Sequence, residues 1–166
     1  TEVVRCSERV LLASRRFQVG GAKYECHHGS QGPPLQSFLF DIQAPDQETQ
    51  HAKYAVQTLK AVQHVTETFN SLDLDGRLAV VVRDAEFLQA FHPQLESELQ
   101  RAYDDRFELV AAEEASRMLA SQSGRRRQEQ RIVVDALEQM DGMEWLMVIC
   151  VGLDTPNVDE TRCIAA

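Results

Sequence analysis

Long hydrophobic runs are missing from this sequence. No stretch approaches the roughly 20 apolar residues that a membrane-spanning helix needs, and no charged-then-apolar leader opens the chain. The cysteines are Cys6, Cys26, Cys150 and Cys163, and none form a C-x-x-C pair, so the spacing of a zinc knuckle or a disulfide framework is absent. We therefore expect no membrane contact, an intracellular setting that is cytoplasmic or nuclear, and free thiols, with Cys150 inside a buried strand.

Positive charge is also scarce. The chain has 17 Lys and Arg residues against 26 Asp and Glu residues, which gives a net charge of -9. Domains that bind nucleic acid by themselves usually carry a clear basic surface. Any contact with nucleic acid would therefore be local, and the Arg125-Arg126-Arg127 cluster, with Gln and Glu around it, is typical of a solvated loop.

Two further kinds of site lack their sequence signatures. The phosphate-binding pattern G-x-x-x-x-G-K-S/T does not occur, and no Asp-Glu metal-binding pair follows a strand in the required context, so we expect no ATP hydrolysis by this chain alone. Cys26, His27 and His28 have no standard metal-ligand interval to His51. We predict no metal site in the chain.

The composition that is present describes one globular domain. The 166 residues are 43% hydrophobic and 26% charged, which is enough for an adequate core, and no domain boundary is visible within residues 1–166. The chain begins without Met and stops shortly after a predicted strand. We therefore expect a piece of a longer multidomain protein.

Helical and strand-like segments alternate along the chain. The predicted strands are residues 37–42, 78–82, 107–110, 131–137 and 146–153, and the predicted helices are residues 8–17, 47–69, 84–103 and 112–119. This alternation predicts an α/β fold with a parallel sheet and helices on both faces. Residues 78–82 are all apolar, which favours a buried central strand. In helix 47–69 we predict that a stripe of Ala52, Val56, Leu59 and Val62 faces the core.

Three segments, in the same order, resemble a known family. They are Val4-Arg5-Cys6-Ser7-Glu8-Arg9-Val10, the strand segment from Asp75 to Asp84, and the turn Gly142-Met143-Glu144-Trp145 between the last two predicted strands. Together they are similar to the second RecA-like domain of UvrD/Rep-like superfamily 1 helicases. The resemblance implies a RecA-like P-loop NTPase fold that lacks its own Walker A loop.

The resemblance also implies site residues. Arg5 matches the arginine that reaches the ATP γ-phosphate, where a planar, permanently charged fork stabilises the transition state, so it is the expected catalytic residue. Glu144 matches the ribose ligand, and we assign Gly142 with it to nucleotide binding. Arg83 follows a buried strand, at the carboxyl edge where parallel sheets place ligands. We predict that it contacts nucleic acid.

The implied cofactor is ATP with Mg, the metal being held by a preceding RecA-like ATPase domain of the same chain, which is the first expected partner. Single-stranded nucleic acid is the second. Where the family carries Thr, His and Lys, however, this chain carries Ala136, Glu138 and Asp141, and carboxylates repel phosphate. The alternative is therefore a degenerate helicase-like module that acts as a nucleotide-sensing switch or a protein-interaction scaffold.

Overall fold

A computed structural model describes residues 2–3, 7–14, 25–26, 31–119 and 130–153. The chain divides into two compact units, one comprising Thr1–Leu39 with Thr155–Ala166 and the other Phe40–Asp154. The first unit contains a parallel pair of short strands, β1 (Glu2–Val3) and β2 (Glu25–Cys26), and the helix α1 (Glu8–Ser14). Helix α1 begins where it was predicted. The one-domain organisation of residues 1–166 stays a prediction.

The second unit, here called the sheet unit, alternates helices and strands. Its elements are α2 (Gln47–Thr68), β3 (Leu78–Val82), α3 (Ala85–Tyr103), β4 (Phe107–Val110), α4 (Ala112–Leu119), β5 (Gln130–Ala136) and β6 (Met147–Val151). The strands form one sheet in the order β4-β5-β3-β6, and every neighbouring pair is parallel. The predicted α/β class with a parallel sheet is confirmed. Among the described helices, none is both long and apolar enough to cross a membrane.

Both faces of the sheet are covered around the central strand. Leu78, Val80 and Val82 face the first side, where α2 and α3 pack, while Ala79 and Val81 face the second side. The second side is covered by α4 and by the residues that link β5 to β6. All five residues of β3 are buried, as its apolar run predicted.

The predicted strand at residues 37–42 is wrong. The structure has no strand there. Instead the Phe40 ring packs edge-on against Tyr54 of α2, with the ring centroids 5.1 Å apart, and Ile42 lies partly buried against the same core. Phe40 and Ile42 thus anchor an irregular segment to the core, while Leu39 of the same apolar run is 92% exposed.

The predicted core stripe of α2 is also wrong in part. Val62 is fully buried, but Val56 is 37% exposed, and the polar residues His51 and Thr58 are buried in its place. Each of the two satisfies a polar atom on its own helix. His51 Nδ1 lies 2.7 Å from the Gln47 carbonyl oxygen, and the Thr58 hydroxyl donates to the Tyr54 carbonyl at 2.9 Å. His51 Nδ1 and the Thr58 hydroxyl therefore keep a hydrogen-bond partner although both residues are buried.

Cys150 does not lie in a buried position, contrary to prediction. It is free and exposed on β6, which is an edge strand of the described sheet. An apolar run looks the same in the sequence whether its strand is central or at an edge. The position of β6 in the sheet accounts for the difference.

Asp46 caps the amino end of α2. Its carboxylate accepts hydrogen bonds from the Thr49 backbone N–H at 2.7 Å and from the Thr49 hydroxyl at 2.9 Å. These bonds lower the pKa of the Asp46 carboxyl from 3.8. A carboxyl group whose pKa is lower in the folded state stabilises the fold above its unfolded pKa, and this contribution is lost as the pH falls through the folded value.

We therefore expect Asp46→Ala to lower the thermal midpoint at neutral pH, and the gap from the wild type to narrow as the pH drops below 3.8. Circular dichroism melts across a pH series measure this. Glu67→Ala, an exposed carboxylate near the other end of α2, is the control. A deficit that is the same at every pH would contradict the assignment of Asp46 as an ionised cap.

Candidate functional site

The predicted nucleotide ligands lie in the segment between β5 and β6. This segment, residues 137–146, is here called the connection. Because β5 and β6 are both parallel to β3, the connection must return from the carboxyl end of β5 to the amino end of β6. Its apolar residues pack on the second face of the sheet, so it crosses that face. At the amino end of β6, the backbone N–H groups of Leu146 and Met147 donate to the carbonyl oxygen of Arg77, just before β3, at 3.1 and 3.2 Å.

Apolar side chains fix the connection to the sheet. Met140 is buried, and Leu137, Met143 and Trp145 are partly buried against the second-face core. Glu144 lies between two of these anchors and is exposed. Packing of Met143 and Trp145 on the sheet therefore fixes the backbone on both sides of Glu144.

Gly142 makes the turn that leads to Glu144. Its φ is +77°, and a Cβ placed there would have no atom within 4 Å. The left-handed backbone, rather than a lack of space, is what favours glycine at this position.

Arg83 lies at the carboxyl end of β3, as its position after a buried strand predicted. Its Nε is 3.1 Å from Asp84 Oδ2, and its guanidinium carbon lies 5.0 Å from the centroid of the Phe87 ring. Asp84 also caps α3, since its Oδ1 accepts the Phe87 backbone N–H at 2.8 Å. The half-buried guanidinium is thus held over an aromatic ring beside a carboxylate that offsets part of its charge.

The structure does not bring the predicted site residues together. Glu144 and Gly142 precede β6, near the amino edge of the sheet, whereas Arg83 follows β3 at the carboxyl edge. The five residues of β3 separate these edges, by about 16 Å at the usual rise per strand residue. Arg5 lies outside the described residues. Among the described residues, the predicted site residues therefore form two separate candidate contact points.

Asp135 was not identified from the sequence, although a carboxylate inside the apolar run of β5 is a visible signal. It is 8% exposed. Its Oδ2 accepts the backbone N–H of Ala112 at 3.0 Å, and its Oδ1 accepts the N–H of Ala136 at 2.8 Å. Asp135 thus ties the start of α4 to the carboxyl end of β5. With both oxygens bonded to backbone groups, its role is to fix this corner of the fold.

His51 was likewise not identified as a neighbour of the Arg83 end of the sheet. Its ring packs against Phe87 with the centroids 4.8 Å apart, and Tyr54 and Phe91 contact the same ring at 5.2 and 5.4 Å. This aromatic cluster fixes the ring on which Arg83 lies. A buried histidine in the first turns of a helix gives no such indication by itself.

Within the described ranges, no group of three or more His, Cys, Asp or Glu side chains is placed to hold a metal ion. Comparison of the chain with protein-family models, with curated proteins and with solved structures finds no match.

Proposed function

We propose that this chain is the second motor domain of a superfamily 1 helicase-like ATPase, RecA-like in fold, and that it supplies nucleotide contacts to an ATP site completed by a preceding domain. The observation that carries the proposal is the presentation of Glu144. It follows a left-handed turn at Gly142 and is exposed between Met143 and Trp145, which pack on the sheet. A carboxylate anchored in this way meets the requirement for a preorganised ligand.

The chemistry of Glu144 suits a sugar hydroxyl. An ionised carboxylate accepts hydrogen bonds only, and a charge-assisted bond from a ribose hydroxyl is stronger than a neutral one. Arg5 would supply the guanidinium for the γ-phosphate, a role that needs a permanent, planar positive charge. ATP with Mg would be bound by the Walker loop of the preceding domain. Closure of the preceding domain over the nucleotide would bring Glu144 into contact with it.

Arg83 is the proposed contact for single-stranded nucleic acid. It lies at the opposite edge of the sheet from Glu144, so nucleotide and nucleic acid would bind to different ends of β3. Phe87 and Asp84 hold the guanidinium in place. A phosphate would have to compete with the Asp84 carboxylate, which predicts a contact that weakens readily with salt.

We expect Glu144→Ala in the full-length protein to raise the KM for ATP about tenfold, because a lost charge-assisted hydrogen bond of roughly 1.4 kcal/mol corresponds to that factor. ATP turnover is measured with and without single-stranded DNA and RNA. Asp141→Ala is the matched control, since it removes another exposed carboxylate of the connection. Equal kinetics for both variants would contradict a ribose contact by Glu144.

A second candidate is a degenerate module that senses nucleotide or acts as a scaffold. It is favoured by Glu138 and Asp141, which are exposed on the connection where the family carries His and Lys. These carboxylates, in a chain of net charge -9, repel a phosphate backbone. A folded full-length protein that shows no turnover with any nucleic acid would support this candidate over the motor.

A further inference from the structure

Within the described residues of the sheet unit, the second face of β6 carries an exposed apolar strip, defined as Val148 and Cys150 of the strand and Leu146 just before it. Leu146 and Val148 are each 50% exposed, and Cys150 is exposed as well. The alternate residues Met147 and Ile149 pack against the core on the first face. Parallel sheets are normally covered on both faces. One face of β6 is therefore packed against the core, and the strip is its opposite face.

The composition of this segment is that of a covered surface. From Trp145 to Leu153 the sequence has no charged residue and no proline. Edge strands that stay exposed usually carry such residues, because these block pairing with other chains. β6 carries neither a charged residue nor a proline.

Charge on the neighbouring connection indicates what would cover the strip. The exposed carboxylates of the connection, here called the acidic rim, are Glu138, Asp141 and Glu144. The connection crosses the second face over β3, the strand next to β6. The rim therefore borders the strip on its β3 side, and a partner that covers the strip would meet negative charge along one flank.

We propose that the apolar strip and the acidic rim form a docking site for an amphipathic α-helix of a partner protein, with an apolar stripe flanked on one side by Lys or Arg. Leu146 and Cys150 are about 13 Å apart at the usual rise per strand residue, which matches about nine residues of helix. A helix is also the element that ordinarily covers a parallel strand.

A second copy of this chain fits the site less well. It would bring a like-charged rim and a net charge of -9 to the interface. Like charges placed together across an interface disfavour association. A helix with a basic flank is complementary both to the acidic rim and to the negative net charge of the chain.

The test uses fluorescence anisotropy of a labelled, designed helical peptide of about 18 residues, with Leu at the inward positions and Lys along one flank. A second peptide carries Glu in place of Lys. We expect saturable binding of the Lys peptide to the chain and at least tenfold weaker binding to Val148→Glu, which places a carboxylate in the strip. Circular dichroism of this variant establishes that it is folded.

A charge reversal on the rim provides the second measurement. Asp141→Lys is expected to weaken the Lys peptide several-fold and to strengthen the Glu peptide. Glu67→Lys makes the same change in net charge on α2, which covers the first face, and is expected to change neither affinity, because screening limits charge effects to about 10 Å.

Three results would overturn the proposal. One is equal binding of the Lys and Glu peptides, and another is unchanged binding to Val148→Glu. The third is self-association in sedimentation experiments that Val148→Glu abolishes, which would assign the strip to a second copy. None of these results depends on whether Glu144 contacts ATP.

Discussion

Gly152→Ala is expected to destabilise the sheet unit by about 3 kcal/mol. Gly152 follows β6 with a φ of +68°, and an added Cβ would lie 3.0 Å from Cε2 and 3.1 Å from Cζ of Phe87. A left-handed conformation costs a residue with a side chain about 1–2 kcal/mol, and overpacking a core adds about 1–3 kcal/mol. Phe87 is 2% exposed and packs against other rings, so it has little room to move away.

Gly142→Ala separates the two causes. Gly142 also has a left-handed φ, of +77°, but a Cβ there would meet nothing within 4 Å. Its substitution should therefore cost only the free energy of the left-handed backbone, about 1–2 kcal/mol. Urea denaturation of both variants gives the difference in free energy of unfolding, which measures the contact with Phe87. Equal decreases in the free energy of unfolding would show that the Phe87 ring moves away from the new methyl group at no cost.

A double variant provides a further check. Phe87→Leu removes the ring atoms that the new methyl group would meet, so the penalty of Gly152→Ala should fall toward that of Gly142→Ala in this background. Residues in contact give such non-additive energies, whereas distant ones do not. If the two substitutions were simply additive, the penalty at Gly152 would come from the backbone alone.

Local signals in the sequence were enough to predict the centre of the fold. The five apolar residues from Leu78 to Val82 predicted a buried strand, and all five are buried. Asp84 marked the start of α3, and it accepts the backbone N–H of Phe87 as a cap should. Both features depend on residues that are close together in the chain, so no knowledge of the remaining fold was needed.

Features that depend on the arrangement of strands could not be predicted in this way. Nothing in the run from Met147 to Val151 says that β6 lies at an edge, so the exposure of Val148 and Cys150 was not foreseen. The burial of His51 in place of Val56 depends on the aromatic rings that α3 brings against α2. These are long-range properties.

The same distinction between local and long-range features applies to the candidate site. A Gly-x-Glu turn between two strands is enough to predict an exposed Glu144. Its separation from Arg83 by the length of β3 follows from the parallel pairing of β3 with β6, because Glu144 precedes β6 and Arg83 follows β3. These two strands are far apart in the chain, and their pairing is not visible in the sequence.

At the amino edge of the sheet, Asp75 and Arg131 join the starts of β3 and β5. Asp75 accepts the Arg131 backbone N–H at 2.9 Å and its side-chain Nε at 2.8 Å on Oδ1, and Nη2 at 2.6 Å on Oδ2. The Gly76 N–H returns a bond to the Arg131 carbonyl at 2.9 Å. The hydrogen bonds that the Arg131 guanidinium donates to Asp75 raise its pKa further above its ordinary value. In the sequence, Asp75 stood out only as the first residue of the Asp75–Asp84 strand segment.

We expect Asp75→Ala to lower the free energy of unfolding by about 2 kcal/mol, because the change removes the carboxylate that accepts hydrogen bonds from the partly buried Arg131 guanidinium and from its backbone N–H. This exceeds the value of a fully exposed ion pair, roughly 0–1 kcal/mol, since the Arg131 and Asp75 side chains are only 19% and 34% exposed. Asp73→Ala, in the same turn, is the control and should cost about 1 kcal/mol or less, since the Asp73 carboxylate accepts the Asp75 N–H at 3.1 Å.

A double-mutant cycle with Arg131→Ala, followed by urea denaturation, should give a coupling energy above 1 kcal/mol. A coupling near zero would mean that the amino ends of β3 and β5 are held by the backbone ladder and not by this pair.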